Sequence, residues 1–167
     1  LIGLIIAAFI PIYSSYLASS KRKELQGFVS SVTNIMIVAF IVISVFIFIF
    51  SPQIGVLLSN IADNQMDIGK FVVMSRIMIF SLLSLGLSGL VTGILNSHNL
   101  FTVPSLAPMV MNVATIVAVI LLARHTGIIS MAIGVMVGSV LHLLVQLPQL
   151  KVSGLKYSFR IDFKHEA

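Results

Sequence analysis

The chain has 167 residues, 58% of them hydrophobic and 9% charged, with a formal net charge of +5 and a mean hydropathy of +1.12. Soluble domains carry about 25% charged and about 45–50% apolar residues, so this composition excludes a water-soluble globule and places most of the surface in lipid. Cysteine is absent, which excludes disulfides, thiolate nucleophiles, iron–sulfur clusters and cysteine-ligated zinc.

A membrane-spanning helix needs about 20 mostly apolar residues to cross a hydrocarbon layer about 30 Å thick. The first such run covers 1–17, contains Pro11, and is followed by Lys21-Arg22-Lys23. The second, 28–50, finishes as IVISVFIFIF. Next comes 52–70, where Ile54, Leu57, Leu58 and Ile61 recur at helical spacing ahead of Asp63, Asn64 and Asp67. That pattern predicts a short amphipathic helix lying along the headgroups. The third run, 71–95, carries Arg76 near its start; the fourth, 105–123, is entered through Pro104 and closed by Arg124; the fifth, 128–147, is stopped by Pro148. No alternation of the kind a barrel strand needs is present. The expected fold is therefore all-α: a polytopic transmembrane bundle of about five spans and one interfacial helix within 1–150, followed by an interfacial tail or linker at 151–167. The chain opens at Leu1 inside an apolar run, which predicts a piece of a longer polypeptide.

Lysine and arginine set the orientation. Alternating sides place Lys21, Arg22, Lys23, Lys151, Lys156, Arg160 and Lys164 on one face, and Lys70, Arg76 and Arg124 on the other, seven against three. The seven-residue face is expected to be cytoplasmic, which puts 18–27, 96–104 and 148–167 inside the cell and makes the protein a multi-pass component of a plasma membrane. Basic residues so few, clustered at the ends of apolar runs, suit membrane lipids as partners and argue against nucleic acid.

Catalytic patterns are missing. His98, His125, His142 and His165 do not form the H-E-x-x-H spacing, no G-x-S-x-G elbow occurs, and Glu24, Asp63, Asp67, Asp162 and Glu166 all lie outside the apolar runs. No enzyme, cofactor or metal site is expected. Small residues offer packing seams instead: Gly86, Gly89 and Gly93 in the third run, Gly134 and Gly138 in the fifth, two of these pairs being G-x-x-x-G. Ser130, Gly134, Gly138, His142 and Gln146 are spaced by four, a stripe that drifts about 40° per step and so winds round its helix. The candidates for a substrate pathway are Arg76, Asn34 and Asn112, weighed against an interfacial anchor for Arg76 and interhelical hydrogen bonds for the asparagines. Pro11, Pro104 and Pro108 are expected to bend or start helices.

The stretch Gly93–Asn112, GILNSHNLFTVPSLAPMVMN, resembles the loop and helix start of the MviN/MurJ family of lipid II flippases, with AFIPIY at Ala8–Tyr13, Arg76-Ile77, and QLPQL at Gln146–Leu150 in register. The resemblance covers essentially the whole chain. It implies that the runs are helices two to six of a two-lobe transporter of the multidrug/oligosaccharidyl-lipid/polysaccharide exporter superfamily, most of its N-terminal lobe. It further implies alternating access, an undecaprenyl-linked peptidoglycan precursor as substrate, and the remaining helices of the transporter as partners. The sequence departs from the family at Ile2-Gly3 and Ile6, where an acid-Gly pair and a Ser are usual, and at Phe80 and Leu100, where a Pro and a basic residue are frequent. The expectation is that this chain alone does not flip lipid. The competing readings are a related polysaccharide or drug exporter of the same superfamily, and a non-transporting remnant or accessory protein.

Overall fold

The computed structural model describes residues 9–16, 19, 22–61 and 67–150. The expected tail at 151–167, most of the basic cluster at 21–23, and the opening and closing residues of the first run fall outside them or have no described side chains. Among the described residues every regular element is helical: α1 (residues 9–16), α2 (Arg22–Ile61), α3 (Ile68–Ser97), α4 (Thr102–Thr126), α5 (Ile129–Leu144) and the short α6 (Leu147–Leu150). Among the described residues four stretches are long and apolar enough to cross a membrane, Glu24–Ile61, Ile68–Ser97, Thr102–Thr126 and Ile129–Leu150.

Helix ends follow local chemistry. Asp67 caps α3 by accepting the Lys70 backbone N–H at 3.0 Å, and the same carboxylate pairs with Lys70 Nζ at 2.9 Å. These contacts, the backbone hydrogen bond foremost, hold the Asp67 carboxyl below the ordinary carboxylate range. Pro104 sits in the first turn of α4, where its missing N–H would have had no intrahelical partner. α4 closes at Gly127, whose φ of 56° lies in the left-handed region and whose N–H bonds the Ala123 carbonyl at 2.9 Å. α5 stops at Leu144, the residue whose carbonyl would have bonded the N–H that Pro148 lacks.

One expectation needs correction. The sequence pattern predicts a separate amphipathic helix at the interface within residues 52–70, yet α2 runs unbroken from Arg22 to Ile61 with Pro52 inside it. An internal proline removes one hydrogen bond, from its own nitrogen to the carbonyl four residues back, and here three side chains surround the gap. Ser51 Oγ donates to the Phe48 carbonyl at 3.3 Å, Arg76 Nη2 reaches the same oxygen at 3.4 Å, and the Gln53 amide, when turned to put its nitrogen toward them, donates to the carbonyls of Phe50 at 3.1 Å and Ile49 at 3.2 Å. The apolar residues Ile54, Leu57, Leu58 and Ile61 thus continue α2, whose 40 residues measure about 60 Å at ~1.5 Å each. Opposite them, Gly55 lies against Phe71 and Ile68 of α3.

The packing order is α2, α3, α5, α4, with α5 between α3 and α4. Side-chain pairs fix the directions. Phe40 against Gly86 and Gly55 against Phe71 make α2 and α3 antiparallel, and Met111 and Thr115 against Gly138 and Gly134 do the same for α4 and α5. Ser88 with His142 and Thr92 with Gln146 make α3 and α5 parallel. A core of Phe9, Tyr13, Leu25, Met36, Phe40, Leu90 and Ile94 joins α1, α2 and α3, with Phe9 stacked on Phe28 at 5.4 Å. The outward faces are apolar, Val42, Phe46 and Ile49 on α2 and Ile116, Ile120 and Leu121 on α4 all being exposed. Such faces are at rest in hydrocarbon and unsustainable in water.

A Cβ at Gly127 would meet nothing within 4 Å, so a substitution there is opposed by backbone conformation alone. Gly127→Ala is expected to destabilise the bundle by about 1–3 kcal/mol, measured as a lowered thermal midpoint of the purified protein in detergent.

Candidate functional site

Polar groups within an apolar bundle are where function is sought, and the described residues gather them at three places. The most enclosed lies between α3 and α5. Thr92 Oγ1 donates to Gln146 Oε1 at 2.9 Å, Gln146 Nε2 donates to Ser88 Oγ at 2.6 Å and to the His142 carbonyl at 3.1 Å, and Ser88 Oγ contacts His142 Nδ1 at 2.5 Å. Ser88 and Gln146 are fully buried. The donors run from threonine to amide oxygen and from amide nitrogen to serine, and the serine hydroxyl is paired with the His142 imidazole. Beside this network an apolar cleft of about 210 Å³ opens between α2, α3 and the α5–α6 junction, with Gln26 and Thr33 among its lining residues.

The second place is the turn after α3. Tyr13, fully buried on α1, hydrogen-bonds through its hydroxyl with His98 Nε2 at 2.8 Å, with the rings 5.8 Å apart and edge-on. The turn holds Asn99 at a φ of 58°, a conformation asparagine tolerates better than most residues. Burial pulls the His98 imidazole below its ordinary pKa of 6.5. The third place is Arg76, whose guanidinium lies over the Phe48 ring at 4.3 Å while Nη2 reaches the Phe48 carbonyl. Its Nε is buried without an acceptor.

The sequence candidates distribute unevenly over these places. Arg76 is bound to α2. Asn34 is buried on α2, at 2% exposure, and Asn112 is exposed on α4. The structure does not bring these three together. Among the glycines, Gly86 makes room for the Phe40 ring, which would overlap any Cβ there. At Gly138 a Cβ would stand 2.7 Å from the Met111 carbonyl oxygen, and at Gly134 one would stand 3.0 Å from that of Thr115. The α4 and α5 backbones are thus in close approach, and Thr115 Oγ1 bridges them by reaching the Gly134 carbonyl at 3.2 Å. Gly93 is buried and its carbonyl accepts from Ser97, while Gly89 is half-buried. Pro11 and Pro108 are exposed and Pro104 is buried. Sequence reasoning missed Ser88 and Thr92 as network members and Tyr13–His98 as a pair. The winding stripe on α5 was the available signal, since it passes Gly134 and Gly138 to α4 and then His142 and Gln146 to α3. Among the described residues no group of three or more His, Cys, Asp or Glu is placed to hold a metal ion.

Two outcomes test this geometry. Gly138→Ala is expected to force α4 and α5 apart and destabilise the protein by about 1–3 kcal/mol, read by thermal unfolding in detergent. A histidine with a lowered folded pKa binds fewer protons folded than unfolded, so its contribution is intact above about pH 6.5 and is lost as pH falls through the folded value. Thermal stability is therefore expected to decline from about pH 7 to pH 5, with a smaller decline in His98→Gln; equal declines would refute the assignment.

Comparison with known proteins places this architecture. The family described as "Lipid II flippase MurJ" matches residues 3–167. The chain is 31% identical to the lipid II flippase MurJ of Burkholderia cenocepacia over 152 residues, 89% of this chain and 30% of that protein. It is 29% identical to the probable lipid II flippase MurJ of Buchnera aphidicola subsp. Acyrthosiphon pisum, with 89% and 30% covered, and 30% identical to the lipid II flippase MurJ of Thermosipho africanus, with 83% and 28% covered. It spans about 30% of the length of these curated relatives. A contact absent from the linear sequence ties AFIPIY, through Tyr13, to GILNSHN, through His98, and QLPQL meets through Gln146 the residue just before the second of these, Thr92. This multi-pass inner-membrane chain belongs to the lipid II flippase MurJ family.

Proposed function

We propose that these residues form part of one lobe of a lipid II flippase that works by alternating access. The observation that carries the reading is the continuous family match over residues 3–167, together with the parallel α3–α5 pair and the close α4–α5 seam, which make the described helices one packed body. A rigid body is what alternating access requires on each side of its cavity. On this reading the undecaprenyl-linked peptidoglycan precursor is carried between leaflets without chemical change, and the remaining helices of the transporter complete the cavity. The lobe is oriented with 18–27, 96–104 and 148–167 in the cytoplasm, so that Tyr13–His98 closes its cytoplasmic end. Asn112, an exposed polar side chain of α4 among the exposed Met109, Val113 and Ile116, is the pathway residue we favour; Asn34, buried on α2, serves packing. The segment alone is inactive, since half of the cavity wall belongs to the other lobe.

The test is complementation in cells depleted of their own lipid II flippase. The native polypeptide carrying this segment is expected to restore growth and outer-leaflet access to lipid II, whereas residues 1–167 alone restore neither. Asn112→Leu in the native polypeptide is expected to lower flipping without lowering thermal stability. A native polypeptide that is stably inserted yet leaves lipid II inaccessible would remove the transport reading.

A further inference from the structure

A backbone carbonyl without a donor inside hydrocarbon is expensive, and Pro52 takes the backbone donor from Phe48 in the longest described helix, where Ser51 Oγ at 3.3 Å serves it from within α2. The donor that reaches it from another helix is Arg76, across 28 residues of sequence. Two contacts hold that guanidinium in place: Nη2 to the Phe48 carbonyl at 3.4 Å, and the ring of the same residue 4.3 Å below Cζ. A lone cation in a span usually marks a substrate or ion pathway. Here its directed contacts are spent on one residue of α2, four positions before the proline, and its Nε is buried.

We infer that Arg76 is a positioning residue: it replaces the backbone donor missing at Pro52 and thereby fixes the last quarter of α2, residues 53–61, against α3. Ser51 and Gln53 satisfy carbonyls from within α2 and travel with it. Arg76 joins α2 to α3 and so sets where the segment beyond the proline points. Gly55, seated on Phe71 and Ile68, gives that segment its remaining registration. Without the bracket, α2 bends at Pro52. A kink of about 20° carries residue 60, eight positions on, through roughly 4 Å at ~1.5 Å rise per residue. The inference concerns the shape of the lobe and holds whichever molecule the lobe transports.

The test pairs removal of the bracket with removal of its cause. In the native polypeptide in nanodiscs, spin labels at Asn60→Cys and Val73→Cys, both exposed positions, report the distance between the outer part of α2 and α3. Arg76→Met is expected to broaden and shift that distribution, by roughly 4 Å for a 20° bend. Pro52→Ala, which restores the backbone donor to Phe48, is expected to match the parent. The double variant Arg76→Met/Pro52→Ala is expected to return to the parent distribution. Lipid II flipping is read in parallel, with loss in Arg76→Met and recovery in the double variant. If Arg76→Met does not fold, recovery of folded protein in the double variant carries the same meaning. An unchanged distance in Arg76→Met, a defect in Pro52→Ala alone, or a double variant as impaired as Arg76→Met would each overturn the inference. A restored distance without restored flipping would show that the charge itself is also needed, against a purely positioning role.

Discussion

A polar group inside a bilayer has no water to fall back on, and the arrangement of these helices follows from where each such group finds its partner. Hydroxyls that have no neighbour turn back on their own helix: Thr33 to the Val29 carbonyl at 2.7 Å, Ser84 to Phe80 at 3.1 Å, Thr126 to Leu122 at 3.0 Å. Those that can reach another helix decide which helices meet. Ser88 and Thr92 on α3 take His142 on α5 and Gln146 in the turn after it, and that pairing sets a parallel register between elements that are not consecutive in the chain. Individual bonds of this kind contribute modestly in membranes, about 0.6 kcal/mol on average. Their effect is on specificity: any other register would leave several buried donors and acceptors without partners.

Close backbone approach does the rest. Dispersion is the attraction available where burial from water is not, and it needs atoms in contact. Gly134 and Gly138 let α5 settle onto the Met111 and Thr115 backbone, and Gly86 accepts the ring of Phe40. Along α5 large residues such as Met131, Val137 and Leu141 thus point outward, toward lipid or further helices, while Ser130, Ala132, Gly134, Gly138 and Ser139 are buried, the reverse of the pattern in a soluble core.

Much of this was legible in the chain. The all-helical class followed from run length and hydropathy, and the ends of α3, α4 and α5 lie near apolar boundaries punctuated by Asp67, Pro104, Gly127 and Pro148. The drift of the four-spaced stripe on α5 announced two partners rather than one. What the chain did not reveal was any pairing between helices, because Ser88 and His142 are 54 residues apart and each alone is an ordinary residue of a packed helix. Proline at 52 misled for a related reason. Its cost depends on whether other donors surround the orphaned carbonyl, and Arg76, 28 residues from Phe48, is invisible to a local window.

The parallel pairing of α3 with α5 also shapes how the protein is made. Since α4 intervenes, α3 leaves the ribosome with Ser88 and Thr92 turned toward a partner not yet synthesised. The gap is 54 residues, roughly 3–11 s of elongation at about 5–20 residues per second. During that interval α3 must linger beside the insertion machinery, or turn its hydroxyls back on its own carbonyls, before α5 arrives. Assembly of these helices is thus ordered in time, with α4 in place before α5 enters as the wedge between α3 and α4.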